Sequence, residues 1–161
     1  MVIYVKKKQL IIMRGCPGSG KSFLAKKNCL WFQGIILGAD QYFEDEEGNY
    51  NFDLSKLNEA HEWNLKRVEG SMKIPIPQIY VDNTNTRLWE MKKYVELAQK
   101  YGYEVSFMVA NSPWAWDIDE LFNRNTHNVP RETIERMVNR FEHQGDLTDE
   151  EFVEKILESE K

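Results

Sequence analysis

Four short apolar runs divide the chain, and between them apolar residues recur every three or four positions. The runs are residues 9–14 (QLIIMR), 34–37 (GIIL), 78–82 (QIYVD) and 103–109 (YEVSFMV). Runs this short and continuous read as strands buried on both faces. Residues 21–30 read as a helix that follows a glycine-rich loop. Leu54, Leu57, Leu65, Val68 and Met72 mark one stripe of a longer helix with Asp53 as N-cap; His61, Asn64 and Arg67 keep a polar line beside it. Leu88, Met91, Val95 and Ala98 predict another helix, stopped by Gly102. Pro130 opens one whose face is Ile134, Met137, Val138 and Phe141. Near the end, Thr148 and Glu151 form a capping box, and Leu147 and Phe152 are spaced as a hydrophobic staple. Phe152, Val153, Ile156 and Leu157 give that last helix an apolar face.

Strands alternating with helices imply crossover connections and a mainly parallel, four-stranded α/β sheet. Residues 1–143 form the expected domain, with 144–161 as a helical extension packed on it, or less readily on a protein partner. Ligands in such sheets sit beyond the carboxyl ends of the strands. Three polar motifs follow strands here, the glycine loop, Asp40 and Asn83 to Asn85, and they are expected to converge on one edge.

Composition narrows the picture. A chain of 161 residues with 42% hydrophobic residues supports one sizeable core, and 29% charged residues of both signs exclude disorder. The net charge of −5 means that a nucleic-acid substrate would need a local basic groove. Two cysteines, Cys16 and Cys29, make neither a disulfide framework nor a metal set, so reduced thiols in a reducing compartment are expected. No run approaches a membrane span, and MVIYVKKKQL places its apolar residues before its charges, the reverse of a secretory signal. A soluble cytoplasmic (or nuclear) protein with no membrane partner follows. The acidic segment 39–53 does not fit a calcium loop: with Gly48 in sixth place, Phe43 and Leu54 would fall where oxygen ligands are required.

The chemistry begins at residues 15–22, GCPGSGKS, which fit G-x-x-x-x-G-K-[ST] in full. Gly15, Cys16, Pro17, Gly18, Ser19 and Gly20 form a loop whose backbone N–H groups can surround phosphates. Lys21 neutralises the outer phosphates, Ser22 offers a hydroxyl to Mg²⁺, and the next helix aims its N-terminus at the same charge. The expected cofactors are ATP and Mg²⁺. Asp40 is a candidate general base for an acceptor hydroxyl, or else a turn cap. Residues 123–137 carry Arg124, Arg131 and Arg136; an arginine folded over ATP would stabilise transition-state charge, whereas Arg131 and Glu135 also suit a plain i,i+4 surface pair. His61 and His127 lack companion ligands, so neither is assigned a metal.

GCPGSGKS, Asp40 after the second strand, DNTN (82–85) and the RNTHNV segment (124–129) together resemble the polynucleotide 5′-hydroxyl kinases of P-loop type. AHEWN (60–64) and WEMK (89–92) are similar to a branch that includes animal proteins named for binding a HECT-type ubiquitin ligase. The resemblance covers roughly residues 10–143 and implies a three-layer, P-loop kinase-like fold with a helical lid. It implies Lys21 and Ser22 on ATP and Mg²⁺, Asp40 as the base for a 5′-hydroxyl, Arg124 as a lid arginine on the phosphates, and Asn83, Thr84 and Asn85 lining the nucleotide or acceptor pocket. Lys21, Asp40 and Arg124 are then the expected catalytic residues, with Arg131 a further candidate on the nucleotide and Phe43 on the substrate by stacking. Phe43 stands where that family carries an arginine that grips the acceptor's phosphate, and Asn83 where it carries an aspartate. Three functions result: transfer of the γ-phosphate to the 5′ end of RNA or DNA, a small-molecule kinase on the same core, or a non-catalytic nucleotide-dependent binding module.

Overall fold

The computed structural model describes residues 7–30 and 33–161, so the reading of residues 1–6 lies outside the described residues. The four apolar runs form β1 (Gln9–Arg14), β2 (Gly34–Leu37), β3 (Gln78–Val81) and β4 (Glu104–Val109). They make one parallel sheet in the order β2-β3-β1-β4, in register Leu10↔Ile79 and Leu10↔Val105 across the centre. Around it stand α1 (Lys21–Asn28), α2 (Leu57–Lys73), α3 (Leu88–Tyr101), α4 (Ile118–Arg124), α5 (Arg131–Arg140) and α6 (Asp149–Glu158).

Alternation along the strands divides the core. Leu10, Ile12, Ile79 and Val81 pack against α2, α3 and α6 through Val68, Met91, Val95, Phe152 and Ile156. Ile11, Met13 and Tyr80 point the other way, onto Ala25 of α1. Both sheet faces are thus covered, the reason the strands read as continuous apolar runs. Gly102 ends α3 in the left-handed conformation (φ 73°), as its position predicted.

Two details differ from the sequence pattern. Asp53 caps a separate 3₁₀ turn, Leu54–Lys56, by accepting from Ser55 N, and α2 begins only at Leu57. Leu54 is therefore 72% exposed instead of lying on the α2 stripe. Asn64, expected on the polar line, is buried, and its amide donates to the Tyr94 hydroxyl (3.0 Å) and to the Leu37 carbonyl (3.4 Å). A hydrogen-bonded amide can occupy a core position, which a count of apolar residues does not register.

The carboxyl-terminal segment is built into the core. Thr148 and Glu151 cap α6 reciprocally, and Phe152 and Ile156 are fully buried against α3 and β4. Arg14, at the end of β1, is buried between the rings of Phe141 (4.4 Å) and Phe152 (5.1 Å). It donates to the carbonyls of Asn85 (2.9 Å) and Glu142 (2.6 Å). Burial lowers its pKa to about 10, so it remains charged at neutral pH and ties the segment before α6 to the strand that enters the loop. Among the described residues no helix is long and apolar enough to cross a membrane.

Candidate functional site

β1 delivers the chain into the loop 15–20, whose shape is fixed by neighbours on three sides. Gly15 N donates to the Thr84 carbonyl (3.0 Å), Ser112 Oγ to the Ser19 carbonyl (2.8 Å) and Trp114 Nε1 to the Gly18 carbonyl (3.0 Å). Gly18 has φ 80°, and a Cβ there would lie 2.4 Å from the Leu121 carbonyl oxygen, so the loop touches α4 where only glycine fits. Cys16 is buried against Leu121 and Ile134 beneath the lid helices; burial pushes its thiol up to about 11.

Lys21 and Ser22 open α1, and both reach the same acid. Lys21 Nζ donates to Asp82 Oδ1 (2.9 Å) and Ser22 Oγ to Asp82 Oδ2 (2.8 Å). Asp82 stands one residue beyond β3. The sequence pattern assigns it no role of its own within DNTN; its signal is a carboxylate at the end of a buried strand that neighbours the loop's own strand.

These groups fit a nucleoside triphosphate with its Mg²⁺. The first-turn N–H groups of α1 have no partner inside the helix. Ser19 Oγ is buried without a hydrogen-bond partner among the described residues, and Lys21 supplies a cation. Ser22 and Asp82 offer the oxygen ligands that Mg²⁺ takes.

Asn83, Thr84 and Asn85 all line the cavity described below and also tie neighbouring segments together. Asn83 Oδ1 accepts from Ala39 N (2.9 Å), which fixes the start of the 3₁₀ turn Ala39–Phe43 that carries Asp40. Asn85, buried with φ 47°, donates from its amide to the Met13 carbonyl (2.7 Å). Thr84 supplies its carbonyl to Gly15.

Asp40 is held from two sides. Tyr50 donates its hydroxyl to Oδ1 (3.3 Å), and His127 Nδ1 lies 3.2 Å from Oδ2. Burial pushes the Asp40 carboxyl up, but the His127 hydrogen bond and charge, with Lys21 and Tyr50, outweigh it and hold the group below the usual carboxylate range. His127 moves the opposite way: its hydrogen bond to Asp40 raises the imidazole above its ordinary value against the effect of burial.

The segment from α4 to α5 forms a lid over the loop, seated on Cys16 through Leu121 and Ile134. Arg124 lies with its guanidinium 3.7 Å from the Trp114 ring centre and donates to Glu120 (2.9 Å). Trp114, unremarked in the sequence, thus supports both the loop and this arginine. Arg131 is different: it pairs with Asp119 on the surface and does not line the cavity below. The α5 side chains that line it are Thr133, Arg136, Met137 and Arg140, one helical stripe; Arg131, two residues from Thr133, lies about 200° round the helix from it. Phe43, expected on the substrate, likewise does not line this cavity. It is buried edge-on among Tyr42, Tyr50 and Phe52 in a small cluster with Ala39 and Ala60.

A cavity of about 1320 Å³ joins these parts. It runs from residues 16–22 past Asp40 and Thr84 to Arg124 and His127, and outward to His61, Trp89, Lys92 and Lys93. Pockets for a single small ligand are about 300–1,000 Å³. Among the described residues no cluster of three or more His, Cys, Asp or Glu could hold a metal ion.

A family model described as an AAA domain matches residues 10–144. Human NEDD4-binding protein 2 is 44% identical over 138 residues, which cover 83% of this chain and 8% of that protein. Rat 2′,3′-cyclic-nucleotide 3′-phosphodiesterase is 24% identical over 134 residues, covering 81% of this chain and 30% of that protein. This chain therefore spans only a small part of the curated relatives it matches. Among solved structures, one from the Pnkp1/Rnl/Hen1 RNA repair complex aligns with a TM-score of 0.63 at 20% identity, covering 85% of this chain and 45% of that one. A gluconokinase from Sinorhizobium meliloti 1021 aligns with a TM-score of 0.54 at 12% identity, covering 95% and 91%. The shared fold is that of P-loop kinases.

Proposed function

The chain belongs to the AAA domain family, and from that premise we propose that it is an ATP-dependent phosphotransferase acting on the 5′-hydroxyl of RNA or DNA. The observation that carries this reading is the cavity: one space of about 1320 Å³ includes both the phosphate loop and Asp40, a carboxylate outside the loop. A site that only bound a nucleotide would not require that second group.

In this reading the loop and Lys21 hold the triphosphate. Mg²⁺, held by Ser22 and Asp82, would neutralise charge on the phosphates. Asp40 accepts the proton of the acceptor hydroxyl as its oxygen bonds to the γ-phosphorus. The bond from that phosphorus to the bridging oxygen breaks, and its electron pair leaves with ADP. Arg124 stabilises charge on the transferred group. The nucleic-acid acceptor is supported by the likeness to a structure from an RNA repair complex and by the wall of Trp89, Lys92 and Lys93 at the outer end of the cavity. Lys161 lies 4.8 Å from the Trp89 ring centre, Lys92 donates to the Ser159 carbonyl and Lys93 pairs with Glu62 at the surface, so a single strand would exchange these contacts for base stacking and phosphate contacts.

The test is an acceptor panel: labelled γ-phosphate transfer from ATP·Mg²⁺ to 5′-hydroxyl RNA, 5′-hydroxyl DNA, the same strands already 5′-phosphorylated, and small polyols. Label on the 5′-hydroxyl strands alone supports the reading. Label on polyols alone replaces it with a small-molecule kinase, and no label on any acceptor favours a binding module.

A further inference from the structure

His127 was a lone histidine in the sequence, and the fold gives it companions on separate segments. Its Nδ1 lies 3.2 Å from Asp40 Oδ2, and its ring stacks on Tyr50 with centroids 4.0 Å apart and planes 14° from parallel. Tyr50 donates to the other oxygen of the same carboxylate (3.3 Å). His127 belongs to the loop between α4 and α5, the lid; Tyr50 and Asp40 belong to the segment after β2. A carboxylate on a short 3₁₀ turn has rotational freedom. Two donors, one on each oxygen, remove it.

We infer that His127 is a positioning residue of this site, holding Asp40 through Nδ1 so that the carboxylate is aimed at the acceptor hydroxyl only when the lid is in place. This rests on the phosphotransferase reading. His127 carries no proton between reactants; it fixes the acceptor of that proton, and Tyr50 fixes His127. Arg124, three residues earlier, belongs to the same segment, so one seating of the lid places both the charge-stabilising cation and the oriented base. A misplacement of about 1 Å at such a base costs on the order of a hundredfold in rate.

The groups that bear on the imidazole are Asp40 and Glu44 with negative charge, Lys21 with positive charge, and the Tyr50 ring. A doubly protonated His127 binds the Asp40 carboxylate as an ion pair and weakens it as a base; a neutral His127 orients it without that charge. The rate is then expected to rise as His127 deprotonates.

Two measurements decide this. The first is transfer to the best acceptor by wild type, His127→Ala and His127→Asn across pH 5–9. The alanine variant should lose about tenfold to a hundredfold in kcat. Asparagine, a neutral donor near the Nδ1 position, should restore most of the rate. It should also remove the acid limb that wild type shows near or above pH ~6.5. Unchanged transfer in the alanine variant, or an asparagine variant as slow as alanine, overturns the inference. The second needs no activity: the NMR titration of His127 in wild type and in Asp40→Asn. A lower His127 pKa in the variant supports the contact, and equal values overturn it. If wild type phosphorylates no hydroxyl at all, the phosphotransferase reading fails and takes this role with it, while the titration still shows whether the lid contact forms.

Discussion

Lys21 Nζ donates to Asp82 Oδ1 across 2.9 Å, a pair between the first residue of α1 and the residue after β3, with both side chains nearly buried. The same carboxylate takes the Ser22 hydroxyl. Asp82 thus joins the cation and the hydroxyl that open α1 on one carboxylate. Asp82→Asn is expected to lower Mg²⁺-dependent transfer by about a hundredfold or more, as loss of a preorganised electrostatic group does. A magnesium titration of the rate checks it; wild-type magnesium dependence in the variant would remove Asp82 from the cation site.

Arg124 and Arg131, both candidates for the nucleotide by sequence, are separated by the fold: only Arg124 lines the cavity. Arg124→Ala should reduce kcat by about 10²–10³, the size expected for removing a donor aimed at developing charge. Arg131→Ala should leave kcat near wild type, since its partner Asp119 is exposed and such pairs contribute about 0–1 kcal/mol. Steady-state kinetics of the two variants side by side settle the assignment.

Phe43 replaces an arginine that the resemblance places on the acceptor, yet here it fills a core beside Ala60 and Tyr50. Phe43→Ala should cost about 3–5 kcal/mol of stability, as truncating a buried phenylalanine does. Urea denaturation measures this. An acceptor KM that rises severalfold while stability is unchanged would instead make Phe43 a substrate contact.

The Asp40–His127 pair should also show in stability against pH. Asp40 is held below its usual range, so its contribution is present above the unfolded value of about 3.9 and is lost as pH falls through the lower folded value. His127 is raised, so its contribution is full below about 6.5 and is lost as pH rises through the higher folded value. The stability difference between wild type and Asp40→Asn should therefore be largest between about pH 4 and 6.5. A difference that is flat from pH 3 to 9 would contradict the pair.

Cys16 should resist alkylation at pH 8 with or without ATP, because it is buried and its thiol is pushed up to about 11. Mass spectrometry after iodoacetamide treatment should find Cys29 labelled first.

The sheet was legible because each strand is short, apolar and buried on both faces, and β1 ends in a motif that requires a strand before it and a helix after it. The convergence of the loop, Asp40 and Asn83 followed from parallel topology alone. What stayed hidden depends on side-chain contacts between distant segments. Asp82 meets Lys21 across 61 positions, and His127 meets Asp40 across a lid whose seating no periodicity describes. Arg131 and Phe43 fall outside the cavity lining for a related reason: a motif gives the order of residues but not the face of the helix or turn on which each falls. Asn64 and Arg14 show the same limit in the core, polar groups whose burial depends on partners 27 to 128 residues away.

The role of Asp40 bears most directly on phosphoryl transfer, and one measurement isolates it: single-turnover transfer by Asp40→Asn, with ATP affinity measured on the same sample. ATP affinity close to wild type with transfer reduced by about 10²–10⁴ is the predicted result, because the loop is untouched and only the base is lost. Transfer at the wild-type rate would contradict it, since the cavity would then perform its chemistry without the carboxylate that links its two ends.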